Sequence, residues 1–210
     1  MHLYNILIGV DQKYYADWGE NLLKSINYHN PWVALHCHIV NPYDFSPLPF
    51  VNYTFENRVF ANDESRIGYL QAVRFLKVAD KFSKNEYVIT LDADSICTRA
   101  FGEQEFSELF KHTTVLKHPK GTKWLACLVS FDNSNFRYDF ANELNKEPVS
   151  EWKFGRDQHV LKLLNEKHNY HMLDSKWVSI GKNKQDSIFL TLKGEQKETE
   201  KYLDWYKRYI

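Results

Sequence analysis

Two carboxylates stand one residue apart in Leu91-Asp92-Ala93-Asp94-Ser95, directly after the apolar run Tyr87–Leu91. Along an extended chain, side chains alternate faces, so positions i and i+2 point the same way. Like charges held that close raise one carboxyl pKa unless something positive sits between them. A divalent cation is the simplest such group, and Mg²⁺ or Mn²⁺ prefers oxygen ligands of this kind. The plainer alternative is a turn or cap, since Asp is common at strand ends and a D-x-D arises by chance.

Two chemistries use this layout. Phosphohydrolysis by an aspartate nucleophile needs a later Ser or Thr, a Lys and a second acidic pair at another strand end. No DD or DxxxD occupies such a place downstream. In glycosyl transfer from a nucleotide sugar, a divalent ion held by such carboxylates can neutralise the departing diphosphate as a Lewis acid.

The elements that must position these groups alternate in type. HLYNILIGV (2–10) is an apolar strand, and ADWGENLLKSINYH (16–29) has helical spacing of Trp18, Leu22, Leu23 and Ile26. WVALHCHIV (32–40) alternates as a strand, NPYDFSPLPF reads as a loop, and a short strand is expected near 57–60. NDESRIGYLQAVRFLKVADKFS (62–83) is a long helix whose Asn62, Asp63 and Glu64 suit its N-terminus. Further strands are expected at TTVLKH, WLACLVSFD and 186–194, and further helices at EQEFSELFK, 134–146 and 156–168. The chain closes on an amphipathic helix over 199–210 that packs on a domain spanning 1–198.

This alternation predicts an α/β fold with a mostly parallel central sheet flanked by helices. Ligands of such sheets lie beyond the carboxyl ends of the strands. Asp92 and Asp94 stand at one such end and Asp11 at another. In the helix 62–83, Gln71 and Arg74 fall within an apolar stripe of Ile67, Phe75, Val78 and Phe82. A guanidinium there needs a partner, or else snorkels outward along its stem. Asp157 shares a helix face with Val160, Leu161 and Leu164, pointing a carboxylate to the core side or serving as an N-cap.

Bulk composition narrows the partners. The chain has 210 residues, 43% hydrophobic and 16% aromatic, enough for a sizeable core. Its 27 basic and 27 acidic side chains cancel, leaving no basic excess to bind nucleic acid. Cys37, Cys97 and Cys127 form no CxxC pair, which suits a reducing, cytoplasmic setting. No apolar run reaches the roughly 18 residues of a membrane span, and the N-terminus lacks the pattern of a signal peptide. Tyr202, Trp205, Tyr206 and Tyr209 stripe the last helix beside Lys201, Lys207 and Arg208, a pattern for packing or for peripheral contact with a membrane or acceptor.

The segment EYVITLDADSICTRAF resembles the D-x-D segment of GT-A glycosyltransferases, particularly family 8, with its lipopolysaccharide galactosyl- and glucosyltransferases and glycogenin. Four more stretches resemble that family in order: ILIGVDQKYY, the helix carrying Arg74, FGRDQHVLKLL and TLKGEQK. The resemblance implies a Rossmann-like GT-A domain that takes a hexose from a nucleoside diphosphate, UDP above others, to a glycan, lipid-linked or protein acceptor. It implies that Asp11 and Tyr14 hold the nucleoside, and that Asp92 and Asp94 hold Mn²⁺ or Mg²⁺, with Asp92 also on the ribose. Arg74 would reach the donor and the first aspartate, Asp157 and Gln158 the transferred sugar, and Gly194 and Lys197 the diphosphate. Retention of the anomeric configuration is implied with them.

Two departures stand out. Thr191 occupies the place of the family's third metal ligand, a His, which would leave the metal to Asp92, Asp94, diphosphate and water. Trp124, Leu125 and Ala126 stand where small residues and an Asn contact the sugar, so sugar identity is not readable. Three rivals follow: a nucleotide-sugar or glycan binding module that has lost catalysis, the phosphohydrolase, and a nucleotidyltransferase. GVDQKYYADWG lacks the Gly- and Arg-containing phosphate loop that the last requires.

Overall fold

A computed structural model describes residues 4–118, 123–131, 135–180 and 187–191, together with Lys207. The first strand, β1 (Tyr4–Asp11), is buried at every interior position, as expected where both faces of a sheet are covered. Asp11 ends it and caps a single helical turn, α1 (Gln12–Tyr14). A π-helical segment, Tyr15–Gly19, leads on into α2 (Glu20–His29). Then come β2 (Ala34–Val40), β3 (Val51–Glu56), α3 (Asp63–Lys81), β4 (Tyr87–Leu91) and β5 (Ser95–Cys97). The rest comprises α4 (Glu103–Glu108), β6 (Thr114–Lys117), β7 (Trp124–Phe131), α5 (Phe136–Leu144), α6 (Arg156–His168), β8 (His171–Met172), β9 (Val178–Ile180) and β10 (Phe189–Thr191).

Seven strands form the central sheet in the order β3-β2-β1-β4-β7-β6-β8. The first four are parallel to one another, β7 runs antiparallel to β4 and β6, and β8 is parallel to β6. The architecture is thus the expected α/β sheet, mostly parallel, with helices packed on it. A smaller sheet, β5-β10-β9, was not anticipated in its β5 and β9 members, each only three residues long. The third strand also differs from expectation, lying at 51–56 rather than near 57–60. Its register pairs Val51 with Leu35 and Glu56 with Val40, so the loop 41–50 must deliver Val51 level with the start of β2.

Strand alternation divides the core. Ile6, Ile8 and Val10 of β1 join Ile89 and Leu91 of β4 in a cluster with Leu22, Leu23 and Ile26 of α2. Leu7 and Val88 face the other way, onto Val73, Phe75 and Val78 of α3 and Val160 and Leu161 of α6. By the same parity Gly9 and Asp11 of β1, and Asp92 just past β4, belong to the α3 face. The helix that must meet them is well framed. Asn62 Oδ1 accepts from Ser65 N at 2.8 Å and Ser65 Oγ accepts from Asn62 N at 3.3 Å, a reciprocal cap. Asp63 and Glu64 fill the first turn and Lys81 the last, matching the helix dipole. Arg137 of α5, fully buried, donates to the carbonyl oxygens of Phe82 and Ser83 just past the end of α3.

Cys37, Cys97 and Cys127 are buried free thiols. Among the described residues, no helix is long and apolar enough to cross a membrane. The expected helix over 199–210, Lys207 excepted, lies outside the described residues, as do Gly194 and Lys197.

Candidate active site

The C-terminal ends of β1 and β4 open into a cavity of about 350 Å³, walled by α1, α3 and the loop before α6. Asp11, Tyr14, Arg74, Asp92 and Asp94 all line it.

Arg74 is the organising cation. It comes from the fourth turn of α3 and is buried on the side facing β1. Nothing larger than Gly9 fits beneath it, because a Cβ at that position would lie 2.8 Å from Val73 Cγ1 and 3.0 Å from Arg74 N. The arginine finds three acceptors. Its Nη2 donates to Asp92 Oδ1 at 2.7 Å and to the Ala126 carbonyl oxygen at 3.0 Å, with Asp157 Oδ2 at 3.5 Å. The buried partner demanded by its place in the apolar stripe is therefore a pair of carboxylates, and the snorkelling alternative is set aside. Replacing Gly9 with Ala should push α3 off β1 and cost about 1–3 kcal/mol in urea unfolding. A cost below about 0.5 kcal/mol would mean that the helix has room to spare.

The two aspartates of the motif converge by different means. Asp92 continues the alternation of β4 towards α3, and its N–H donates to the Cys127 carbonyl oxygen at 2.9 Å, fastening it to β7. The chain then turns, with Ser95 N donating to the Asp92 carbonyl oxygen at 3.2 Å. Strand geometry thus stops at Leu91, and a turn rather than the i, i+2 rule sets the position of Asp94. Asp94 is buried, and its Oδ2 accepts from the Tyr14 hydroxyl at 2.9 Å.

Asp11 is doubly engaged. Its Oδ1 accepts from Tyr14 N at 2.8 Å, and its Oδ2 accepts from Arg66 Nη1 at 2.9 Å. Arg66 was not anticipated. Residues 66, 70 and 74 are four apart and share one stripe of α3, so a cation at the start of that stripe was the available signal. Gln71, noted in the stripe, donates no side-chain bond to the site. Its Oε1 accepts from Gly155 N at 2.7 Å and ties down the loop before α6.

The remaining expectations divide. Asp157 is buried in the first turn of α6 and reaches Arg74 without lining the cavity. The cap of that helix is Gly155, so the N-cap alternative for Asp157 does not hold. Gln158 is half-buried beside it, its N–H donating to Asp157 Oδ1 at 2.7 Å, and it too stands off the cavity wall. Thr191 is buried, with its hydroxyl 2.5 Å from that of Ser95.

Two carboxylates, Asp92 and Asp94, therefore offer hard oxygen atoms from one turn to one cavity. That donor set fits Mg²⁺ or Mn²⁺ with the rest of the shell left for phosphate oxygens and water. Among the described residues, no group of three or more His, Cys, Asp or Glu side chains is placed to hold a metal by itself. Arg66 and Arg74 bring two positive charges to a cavity whose lining also carries Asp11, Asp92 and Asp94.

The mixed sheet and its flanking helices are shared with a solved glycosyltransferase structure. The chain is similar in structure to glycosyltransferase GlyE of Streptococcus pneumoniae TIGR4. The apo form matches with a TM-score of 0.67 at 12% identity, over 98% of this chain and 60% of that one. A second GlyE structure matches with a TM-score of 0.62 at 12% identity, over 100% of this chain and 61% of that one. This chain thus spans about three fifths of the length of those proteins. No family model and no curated protein sequence matches it.

Proposed function

We propose that this chain is a metal-assisted glycosyltransferase that moves a hexose from UDP-hexose to a glycan, lipid-linked or protein acceptor, with retention of configuration. The observation that carries this reading is the Arg74–Asp92 ion pair at 2.7 Å, inside the cavity that Asp94, Tyr14 and Asp11 also line. In this reading Asp92 and Asp94 hold Mn²⁺ or Mg²⁺, which neutralises charge on the departing diphosphate. Arg74 keeps Asp92 in place and offers positive charge to the donor. Asp157 holds Arg74 from α6, and Gln158, next to it, orients the sugar. Asp11 and Tyr14 bind the nucleoside. Lys197, with Gly194, contacts the diphosphate. Three buried free thiols suit a cytoplasmic setting.

The test is a thermal-shift panel of UDP, GDP, CDP and ADP, each with Mn²⁺ or with chelator. A ligand at about 100 times its Kd adds roughly 2.7 kcal/mol, and for a chain of this size that is a rise of about 5–10 °C. The rise is expected with UDP and Mn²⁺ and is expected to vanish with chelator. No rise with any nucleotide would refute the reading. Proton NMR of the first-formed product reads the anomer, and an inverted one would refute retention.

One observation favours a second reading, a nucleotide-sugar binding module without turnover. Thr191, at the position of the absent His, is engaged with Ser95 and adds no metal ligand. A UDP-induced rise that survives chelator, without turnover, would select that reading.

A further inference from the structure

The loop between α5 and α6 is anchored at three points yet leaves the aromatic ring of Phe154 in solvent. Trp152 is buried, stacks on Tyr69 of α3 with ring centroids 5.8 Å apart, and donates from Nε1 to the Glu147 carbonyl oxygen at 3.0 Å. Tyr69 is itself fixed, its hydroxyl donating to Glu56 at 2.5 Å. Burial raises the Glu56 pKa, but hydrogen bonds from His38 and Tyr69 and the charge of Lys77 outweigh it and hold the carboxyl down at about 2.

The second anchor is a close backbone approach. A Cβ on Gly68 would fall 2.9 Å from the backbone N and O of Lys153 and from the backbone C of Trp152, so only glycine lets the loop lie on α3. The third is the bond from Gly155 N to Gln71, made with Gly155 at a φ of 81°. That is a left-handed conformation suited to glycine.

Between these anchors stands Phe154, 73% exposed, lining the same cavity as Asp92 and Asp94. Ile67 and Leu70 of α3 line it beside Phe154. Ile67 is 39% exposed. Apolar side chains left open at a cavity beside charged ones mark a ligand surface rather than a core.

The geometry points to Phe154, with Ile67 and Leu70, as the platform for the pyranose ring of the donor. This inference rests on the donor reading above. A hexose presents an apolar face of C–H groups and a girdle of hydroxyls. The cavity offers both complements: an aromatic and aliphatic wall, and carboxylates and a guanidinium for the hydroxyls. A nucleoside diphosphate alone has no pyranose to place on that wall, so the platform discriminates UDP-hexose from UDP. Phe154 is a specificity-determining residue on a prearranged loop, needing no reordering when the ligand enters.

The experiment is calorimetric titration of the chain with UDP, UDP-glucose and UDP-galactose in Mn²⁺, for wild type, Phe154→Ala and Phe154→Tyr. Phe154→Ala is expected to weaken at least one UDP-hexose by about two- to tenfold, the worth of one aromatic contact, while its UDP affinity stays within about twofold. Phe154→Tyr, which keeps the ring face, is expected to restore binding. The exposed position leaves folding intact, and melting temperatures should agree within about 2 °C. Equal losses for UDP and UDP-hexose would overturn the inference and give the ring to the base. UDP-hexose affinities unchanged in Phe154→Ala, with wild type binding normally, would overturn it and leave the donor reading standing. Wild type that binds no nucleotide would overturn both.

Discussion

On the proposed function, Asp94→Asn is expected to lower transfer by roughly 10²–10³-fold, the size of effect seen when electrostatic stabilisation of a developing anion is lost. It weakens the hold on the metal that would neutralise the departing diphosphate. The substitution is nearly isosteric. The Asn oxygen can still accept from the Tyr14 hydroxyl, the partner of Asp94 Oδ2 at 2.9 Å. Only the negative charge goes, and with it half of the carboxylate pair available to a divalent cation. Stability should therefore change by no more than about 1 kcal/mol, since a buried acceptor is replaced by another. The pair of measurements is steady-state transfer with Mn²⁺ and urea unfolding of the same preparation. A variant that keeps more than about a tenth of wild-type activity would show that Asp94 does not carry the metal.

Arg74→Met is expected to be the most destabilising single change at the site, at about 3–5 kcal/mol, because it leaves buried charge uncompensated. Asp92 and Asp157 would lose the cation between them, with side chains only 18% and 4% exposed. The Ala126 carbonyl oxygen would lose its side-chain donor as well. Methionine fills similar volume, so packing loss is small and electrostatics dominate. Arg74→Lys should fall between, since it keeps the charge but must bring a shorter, more strongly hydrated ammonium to the point where Nη2 now meets all three acceptors. Chemical denaturation with both variants measures the order. A loss below about 1 kcal/mol for Arg74→Met would mean that water already screens the two carboxylates.

The parts of this site that were legible in the sequence are those set by local periodicity. Strand parity aims Asp92 at the helix above the sheet, and the 3.6-residue wheel turns Arg74 inward to meet it. Both are short-range rules, while the pairing of these two residues was expected only from the resemblance to family 8 glycosyltransferases. Asp94 was named for its chemistry, but its setting depends on a turn after Leu91 and on Tyr14, which is 80 residues away. Arg66 was missed because a cation in the first turn of a helix looks like part of an ordinary solvated face. Phe154 was missed because its place depends on Gly68 and Gln71, far off in sequence. Strands β5 and β9 of the small sheet escaped for a related reason, whereas β10 falls within the strand expected over 186–194. Strands of three residues carry too little alternation to register.

Tyr14 meets Asp94 across 80 residues, and Arg74 meets Asp157 across 83. Closures that long are slow steps in folding, because chain entropy is lost before the contact rewards it. Helix α6 must dock before the guanidinium has its second carboxylate. The cavity is therefore expected to be complete only once both closures are made. Recovery of ligand binding should lag recovery of helical signal during refolding, and a nascent chain should stay inactive until the segment through 168 has emerged and docked.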